Sequence, residues 1–147
     1  MLSKTCKYAL RAIIYIAKNC LDDQKIRIKE ITEVIDVPAH FLAKILQNLA
    51  KSKIISSTKG PQGGFFIGKP LSEISIMQVI ETVEGEEFLS HCLLKNEPCK
   101  CHQETNICCP LHAKFAPVKI QLINYYQQTS IQDIINDMSD HEHVIAM

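Results

Sequence analysis

Lys53-Ile54-Ile55-Ser56-Ser57-Thr58, then Lys59-Gly60-Pro61-Gln62-Gly63-Gly64, then Phe65-Phe66-Ile67 is the stretch on which the fold turns. The first run is rich in β-branched residues and reads as extended. Gly60 to Gly64 holds three glycines and a proline and reads only as a turn. The third run is extended again. Together they predict a β-hairpin with a glycine-rich tip.

Working back from the hairpin, the residues from the Asp36-Val37-Pro38 turn onward read as a helix. Pro38 suits its first turn, where the missing N–H costs nothing. Phe41, Leu42, Ile45, Leu46 and Leu49 form its apolar face, and Ala39, His40, Ala43, Lys44 and Gln47 its other face. Asp36-Val37-Pro38 is a tight turn, preceded by a helix at 28–35 carried by Ile28, Ile31, Val34 and Ile35. Two short helices joined by a tight turn make a helix-turn-helix. Followed by a hairpin, the pattern is that of a winged helix. An opening helix over 5–20 repeats Ala9, Ala12, Ile13, Ile16, Ala17 and Cys20 at helical spacing.

Beyond the hairpin a fourth helix spans Ile76 to Glu84, with Ser75 as cap, Gln78 completing a capping box and Gly85 as stop. Residues 86–112 read as irregular. A helix follows from Pro117 to Gln128, with Val118, Leu122, Ile123 and Tyr126 apolar, and Ser130 caps a last helix over Ile131–Met138. The expected organisation is a mainly α fold with a small hairpin: a winged-helix unit at 1–85, a cysteine-containing sensor loop at 86–112, a dimerisation helix and short terminal helix at 113–139, and a loose tail at 140–147.

The formal charge of the 147-residue chain is zero, but unevenly spread. Residues 1–69 hold twelve Lys/Arg against five Asp/Glu, and residues 70–147 hold four against eleven. A basic half joined to an acidic half predicts that the first half meets a polyanion. No apolar run is long enough to cross a membrane. Ala9–Ala17 resembles a signal-peptide core only faintly, since Arg11 interrupts it and Lys18 follows. A cytoplasmic protein with no membrane partner is expected.

A helix-turn-helix sends its second helix into the major groove of double-stranded DNA. The candidates there are Ala39, His40, Ala43 and Lys44. Lys44 and His40 can reach a base edge or a phosphate, and Ala43 offers apolar contact to a thymine methyl. Lys4, Lys7 and Tyr8 open the first helix and suit phosphates. In the wing, Lys59, Gly60, Pro61, Gln62 and Gly63 let main chain approach the duplex, with Lys59 directed at the minor groove. Enzyme signatures are missing. Gly60–Gly64 leads into a strand, so it is no P-loop; no Gly-x-Ser-x-Gly elbow occurs; His141-Glu142-His143 lacks the spacing of a zinc hydrolase.

Leu2-Ser3-Lys4, Tyr8-Ala9-Leu10-Arg11-Ala12, Ser57 through Phe65, Ile76-Met77-Gln78-Val79-Ile80 and Val83-Glu84-Gly85 resemble the Rrf-type winged-helix regulators, the group that contains IscR, NsrR and CymR. The resemblance covers nearly the whole chain. It implies a transcription regulator that binds a pseudo-palindromic operator as a homodimer, with recognition helices in major grooves, wings in minor grooves, and the Pro117–Gln128 helix at the dimer interface. Two positions depart from the pattern. Ala43-Lys44 stands where the family often has Glu-Gln, and Lys59 leads into the wing where it often has Arg. Both alter the operator to be expected rather than the binding itself.

Five of the seven cysteines crowd into residues 92–109. Clustered cysteines without an export signal favour metal or redox chemistry over a disulfide scaffold. Soft thiolates suit an iron–sulfur cluster or zinc, although the spacings do not form the paired knuckles of a zinc ribbon. The resemblance implies an iron–sulfur cluster. It aligns Cys92 with the first ligand, favours Cys99 over Cys101 for the second, and matches Cys109-Pro110-Leu111-His112 to the family's ending, with Cys108 as an alternate. His112 is the candidate non-sulfur ligand. A cluster-free thiol switch, or a partner protein acting in place of a cluster, is the competing expectation. Cys6 and Cys20 read as small core residues.

Overall fold

The computed structural model describes residues 2–20, 25–90, 94 and 109–138. Three helices come first: α1 (Lys4–Asn19), α2 (Ile28–Ile35) and α3 (Ala39–Lys51). Ser3 caps α1, its Oγ accepting from the Cys6 amide at 3.1 Å. Cys6, Ala9, Ala12, Ile13 and Ile16 then fall on one buried stripe. Cys20 is only half-buried, one residue past the helix, its amide donating to the Ile16 carbonyl at 2.8 Å. The turn after α2 depends on Asp36 in the left-handed region, at φ 52°. Pro38 is the N-cap of α3 rather than part of its first turn: its carbonyl accepts from the Phe41 and Leu42 amides at 3.0 and 3.1 Å. The core joins Ile13, Ile16, Ile31, Ile35, Leu42, Leu46 and Leu49, all essentially without solvent exposure. Burying each such side chain contributes about 1.5–3 kcal/mol.

The strand expected from Lys53 begins three residues later. Lys53 has φ 56°; its amide donates to Ala50 O at 3.1 Å, and the Ile54 amide to Leu49 O at 3.0 Å. This pair of bonds is a Schellman motif, with Lys53 at the left-handed position and Ile54 packed in the same core as Leu49. The β-branched run Ile54-Ile55 therefore closes α3 and enters the core instead of pairing.

The hairpin is β1 (Ser56–Thr58) against β2 (Gly64–Phe66), antiparallel, with Ser57 opposite Phe65. Gly60 turns the tip at φ 107°, a conformation that L side chains avoid. On the far side of β2 the chain before α2 adds a bridge absent from the sequence-based expectation. Ile26 and Phe65 exchange both main-chain hydrogen bonds, each 2.9 Å.

Next come a short 3₁₀ turn (Leu71–Glu73) and α4 (Ile76–Glu84), capped by Ser75 and Gln78 as expected. The fifth helix differs from expectation. α5 spans Pro110–Gln128, so it starts seven residues before Pro117, which lies inside it. Pro110 occupies the first turn and Cys109 the N-cap, which suits a residue lacking an amide hydrogen. No residue of α5 is buried, and Val118, Ile120 and Tyr125 are 54%, 58% and 56% exposed. The last helix, α6 (Ile131–Asp137), is capped by Ser130 with Asp133. It returns to the main core: the Ile131 amide donates to Ile74 O at 2.8 Å, and the Ile131 side chain is fully buried there. The tail from Asp140 lies outside the described residues. No described helix is long and apolar enough to cross a membrane.

A Cβ on Gly64 would stand 2.8 Å from the Ile26 carbonyl oxygen, a main-chain atom with no room to yield. Gly64→Ala is therefore expected to cost about 1–3 kcal/mol, read as a lowered thermal midpoint.

Candidate nucleic-acid interface

Exposed cations stand on α1, on α3 and on the wing. On α3, Ala39, His40, Lys44 and Gln47 are exposed and Ala43 is half-buried. The spacing of His40, Ala43, Lys44 and Gln47 puts them on one helical face, opposite the buried Leu42, Ile45, Leu46 and Leu49. Amphipathicity fixes which way this helix faces, since turning it would expose four large aliphatic side chains.

Lys4 and Lys7 are exposed on the first turns of α1. Tyr8, proposed from the sequence for phosphate contact, is half-buried. Its ring meets Phe41 edge-on, with centroids 6.2 Å apart and planes at 85°. This contact holds the start of α1 against the start of α3, and it explains why Phe41 is half-buried rather than in the core. Sequence periodicity marked Phe41 as apolar but could not show that its partner would be Tyr8.

In the wing Lys59, Gly60, Pro61 and Gln62 are exposed and Gly63 is half-buried. The Arg27 side chain reaches this tip, Nη2 donating to the Pro61 carbonyl at 3.3 Å. Lys25 is also exposed on the strand segment alongside. Neither stood out among the cations of the basic half. The one sequence signal was the polar–apolar–polar alternation of Lys25-Ile26-Arg27, which is too short to read as a strand by itself.

The start of α1 has a second tether. The Ser3 amide donates to Glu84 Oε1 at 2.9 Å. In an ordinary capping box that bond comes from an acidic residue three positions into the same helix. Here Cys6 holds that position, and Glu84, the last residue of α4, supplies the carboxylate from across the fold. Cys6 is wholly buried beside Ile76 and Ile80. Burial, and then the Glu84 charge, push its thiol up to about 12. The thiol stays protonated, so it serves as packing and not as a metal ligand or nucleophile.

Of the metal candidates, Cys92, Cys99, Cys101 and Cys108 lie outside the described residues. Cys109 and His112 do not sit in an irregular loop but at the N-cap and third position of α5, both half-buried. Three residues apart, they share one side of the first turn. Among the described residues no group of three metal-binding side chains forms.

The Rrf2 family profile, described as an iron-dependent transcriptional regulator, matches residues 2–137. A helix-turn-helix-type transcriptional regulator of Aquifex aeolicus is 35% identical over 139 residues, spanning 95% of this chain and 94% of its own. The transcriptional regulator NsrR of Oceanobacillus iheyensis is 28% identical over 141 residues, with 92% and 90% covered. In fold, the chain is similar to CymR, the global cysteine regulator of B. subtilis, with a TM-score of 0.75 at 18% identity over 93% of this chain and 97% of that one. These relatives are regulators rather than enzymes.

Alkylation checks the inert role of Cys6. At about pH 8, below the ordinary thiol range, iodoacetamide should leave Cys6 unmodified in the folded protein and label it after denaturation, as read by peptide mass spectrometry. Rapid labelling under native conditions would show that the thiol is accessible and ionised.

Proposed function

We propose, because the chain belongs to the Rrf2 family of transcriptional regulators, that it binds a pseudo-palindromic operator in double-stranded DNA as a homodimer. The observation that carries the reading is the outer face of α3, where His40, Lys44 and Gln47 are exposed, as are Lys59 to Gln62 at the glycine-rich tip of the wing that follows it in the chain. α3 enters the major groove. Lys44 and His40 meet base edges or phosphates there, and Ala39 and Ala43 give close apolar contact. Lys4 and Lys7 hold phosphates, and Tyr8 keeps them beside α3 through Phe41. The wing residues Lys59 to Gly63 approach the minor groove, with Lys59 as a cation.

The homodimer reading is supported by α5. Its exposed Val118 and Tyr125, seven residues apart, fall on one helical face, and a second copy of the same helix would bury them.

For sensing, we infer an iron–sulfur cluster held by Cys92, Cys99 and Cys109, with Cys101 and Cys108 as alternates and His112 as the further ligand. The placement of Cys109 and His112 on one turn fits such a donor set, as does the chemistry of thiolate and imidazole. The N-terminus of α5 also favours the negative charge of a thiolate-ligated centre. When bound, the cluster would supply a redox- and nitric-oxide-sensitive tether. The chain's own contribution is Glu84. It ends α4 next to Gly85, where the chain leaves toward the cysteines, and it holds the Ser3 amide at the DNA-facing end of α1. A change in ligation at the cysteines would thereby reach Lys4 and Lys7.

Duplexes selected by the protein from a random pool test the DNA reading. Affinity should fall steeply with salt, and Lys44→Ala should weaken binding about tenfold. Salt-independent behaviour, or no duplex binding, would point to a protein partner instead. Anaerobic purification tests the cluster. Visible absorption with bound iron and sulfide is expected, and should be lost in Cys92→Ala. A colourless, iron-free protein that Cys92→Ala leaves unchanged in DNA response would sink this reading in favour of a thiol or partner switch.

A further inference from the structure

Nothing in the linear sequence sets Arg27 apart from its neighbours, yet the fold makes it part of the wing. Ile26 and Phe65 pair antiparallel through two 2.9 Å bonds. In that register the next residue, Arg27, stands opposite Gly64, on the tip side of the bridge. Gly64 permits the approach, since a Cβ there would lie 2.8 Å from Ile26 O and 3.1 Å from Lys25 Cβ. Arg27 is further fixed by its own amide, which donates to Glu30 Oε1 at 3.1 Å. From this anchored base its guanidinium reaches the Pro61 carbonyl at 3.3 Å. Arg27, Lys25, Lys59, Pro61 and Gln62 are all exposed.

One hydrogen bond leaves a planar guanidinium with several donors to spare. The bond also restrains a long side chain before any ligand arrives, which lowers the entropy lost on binding. A guanidinium is more weakly hydrated than an ammonium, so it enters a narrow groove at lower desolvation cost. In the minor groove, A·T pairs present only acceptors, while G·C pairs add the guanine amino donor, which opposes a cationic donor.

We propose that Arg27 is the discriminating cation of the wing: it enters the minor groove beside Lys59 and favours A·T over G·C pairs there, while Lys25 holds a neighbouring phosphate. The proposal rests on the DNA-binding reading above.

The full-length protein, Arg27→Ser and Arg27→Lys would each select sites from one random-sequence duplex pool. Affinity for a wild-type-selected duplex would then be measured across a salt series. Serine is a good N-cap, so α2 keeps its start while the guanidinium goes; circular dichroism checks that each variant is folded. Wild type should select an A·T-enriched segment outside its major-groove half-sites. Arg27→Ser should lose that enrichment, bind about tenfold more weakly and show a salt slope reduced by about one. Arg27→Lys should keep the slope and lose the enrichment. Identical selected pools would overturn the proposal. So would lost affinity with an unchanged slope, which would make Arg27 only a brace for the wing. Full rescue by lysine would also overturn it, since a point charge on phosphate would then suffice. If wild type shows no salt-dependent duplex binding, the DNA-binding reading itself fails and the wing assignment falls with it.

Discussion

The pair of main-chain hydrogen bonds between Ile26 and Phe65 sets the relation of the wing to everything else. Two strands of three residues are too short to hold a hairpin in water by themselves. The bridge gives β2 a second neighbour, and Phe65 brings its ring into the core formed by α1, α2 and α3. Because Ile26 lies two residues before α2, the bridge also ties the wing to the first helix of the helix-turn-helix. The tip is therefore placed by the same core that orients α3, and the two candidate DNA-contacting elements are held by one set of packed side chains. Gly64 is the residue that makes this possible, since main chain crosses where any Cβ would sit.

A second set of constraints fixes the start of α1. Ser3 caps it from within, Glu84 completes the cap from α4, and Tyr8 meets Phe41 on α3. Each contact contributes only about 0.5–3 kcal/mol. Their value is positional: Lys4 and Lys7 stand on a helix end that cannot shift without disturbing α3 or α4. Glu84 is an unusual choice at a helix C-terminus, where negative charge is disfavoured by the helix dipole. The N-terminus of α1 compensates, because it offers amide hydrogens and the positive end of another helix. The same carboxylate helps keep the Cys6 thiol neutral.

Much of the fold was legible in the residues. The stripes of α1, α2, α3 and α4 follow from apolar spacing, and the caps Ser75 and Ser130 follow from short-range hydrogen-bond chemistry that needs no tertiary partner. The errors have local causes. Ile54-Ile55 looked like a strand because β-branched composition is shared by strands and by chain that enters a core after a Schellman turn. Pro117 looked like a helix start because proline interrupts helices more often than it rides inside one. Pro110 is the first-turn proline, and Cys109 and His112, expected within an irregular segment, lie on the turn it opens. Of the candidate site, the α3 face and the wing tip were legible. Arg27, Lys25, Phe41 and Glu84 were not, because each acts through a partner distant in sequence.

What the sequence alone determined is whatever depends on residues within a turn or two of each other: helix faces, caps, the glycine-rich tip and the division into a basic and an acidic half. Those interactions are set by periodicity and by side chains that reach only their own backbone. Tertiary structure alone decided the contacts between elements. It put Arg27 on the wing across 34 residues and Glu84 on Ser3 across 81. It also returned α6 to the core beside Ile74, while leaving no residue of α5 fully buried. Such pairings carry no local pattern, since they are chosen by how rigid, amphipathic pieces pack together once their faces are already set.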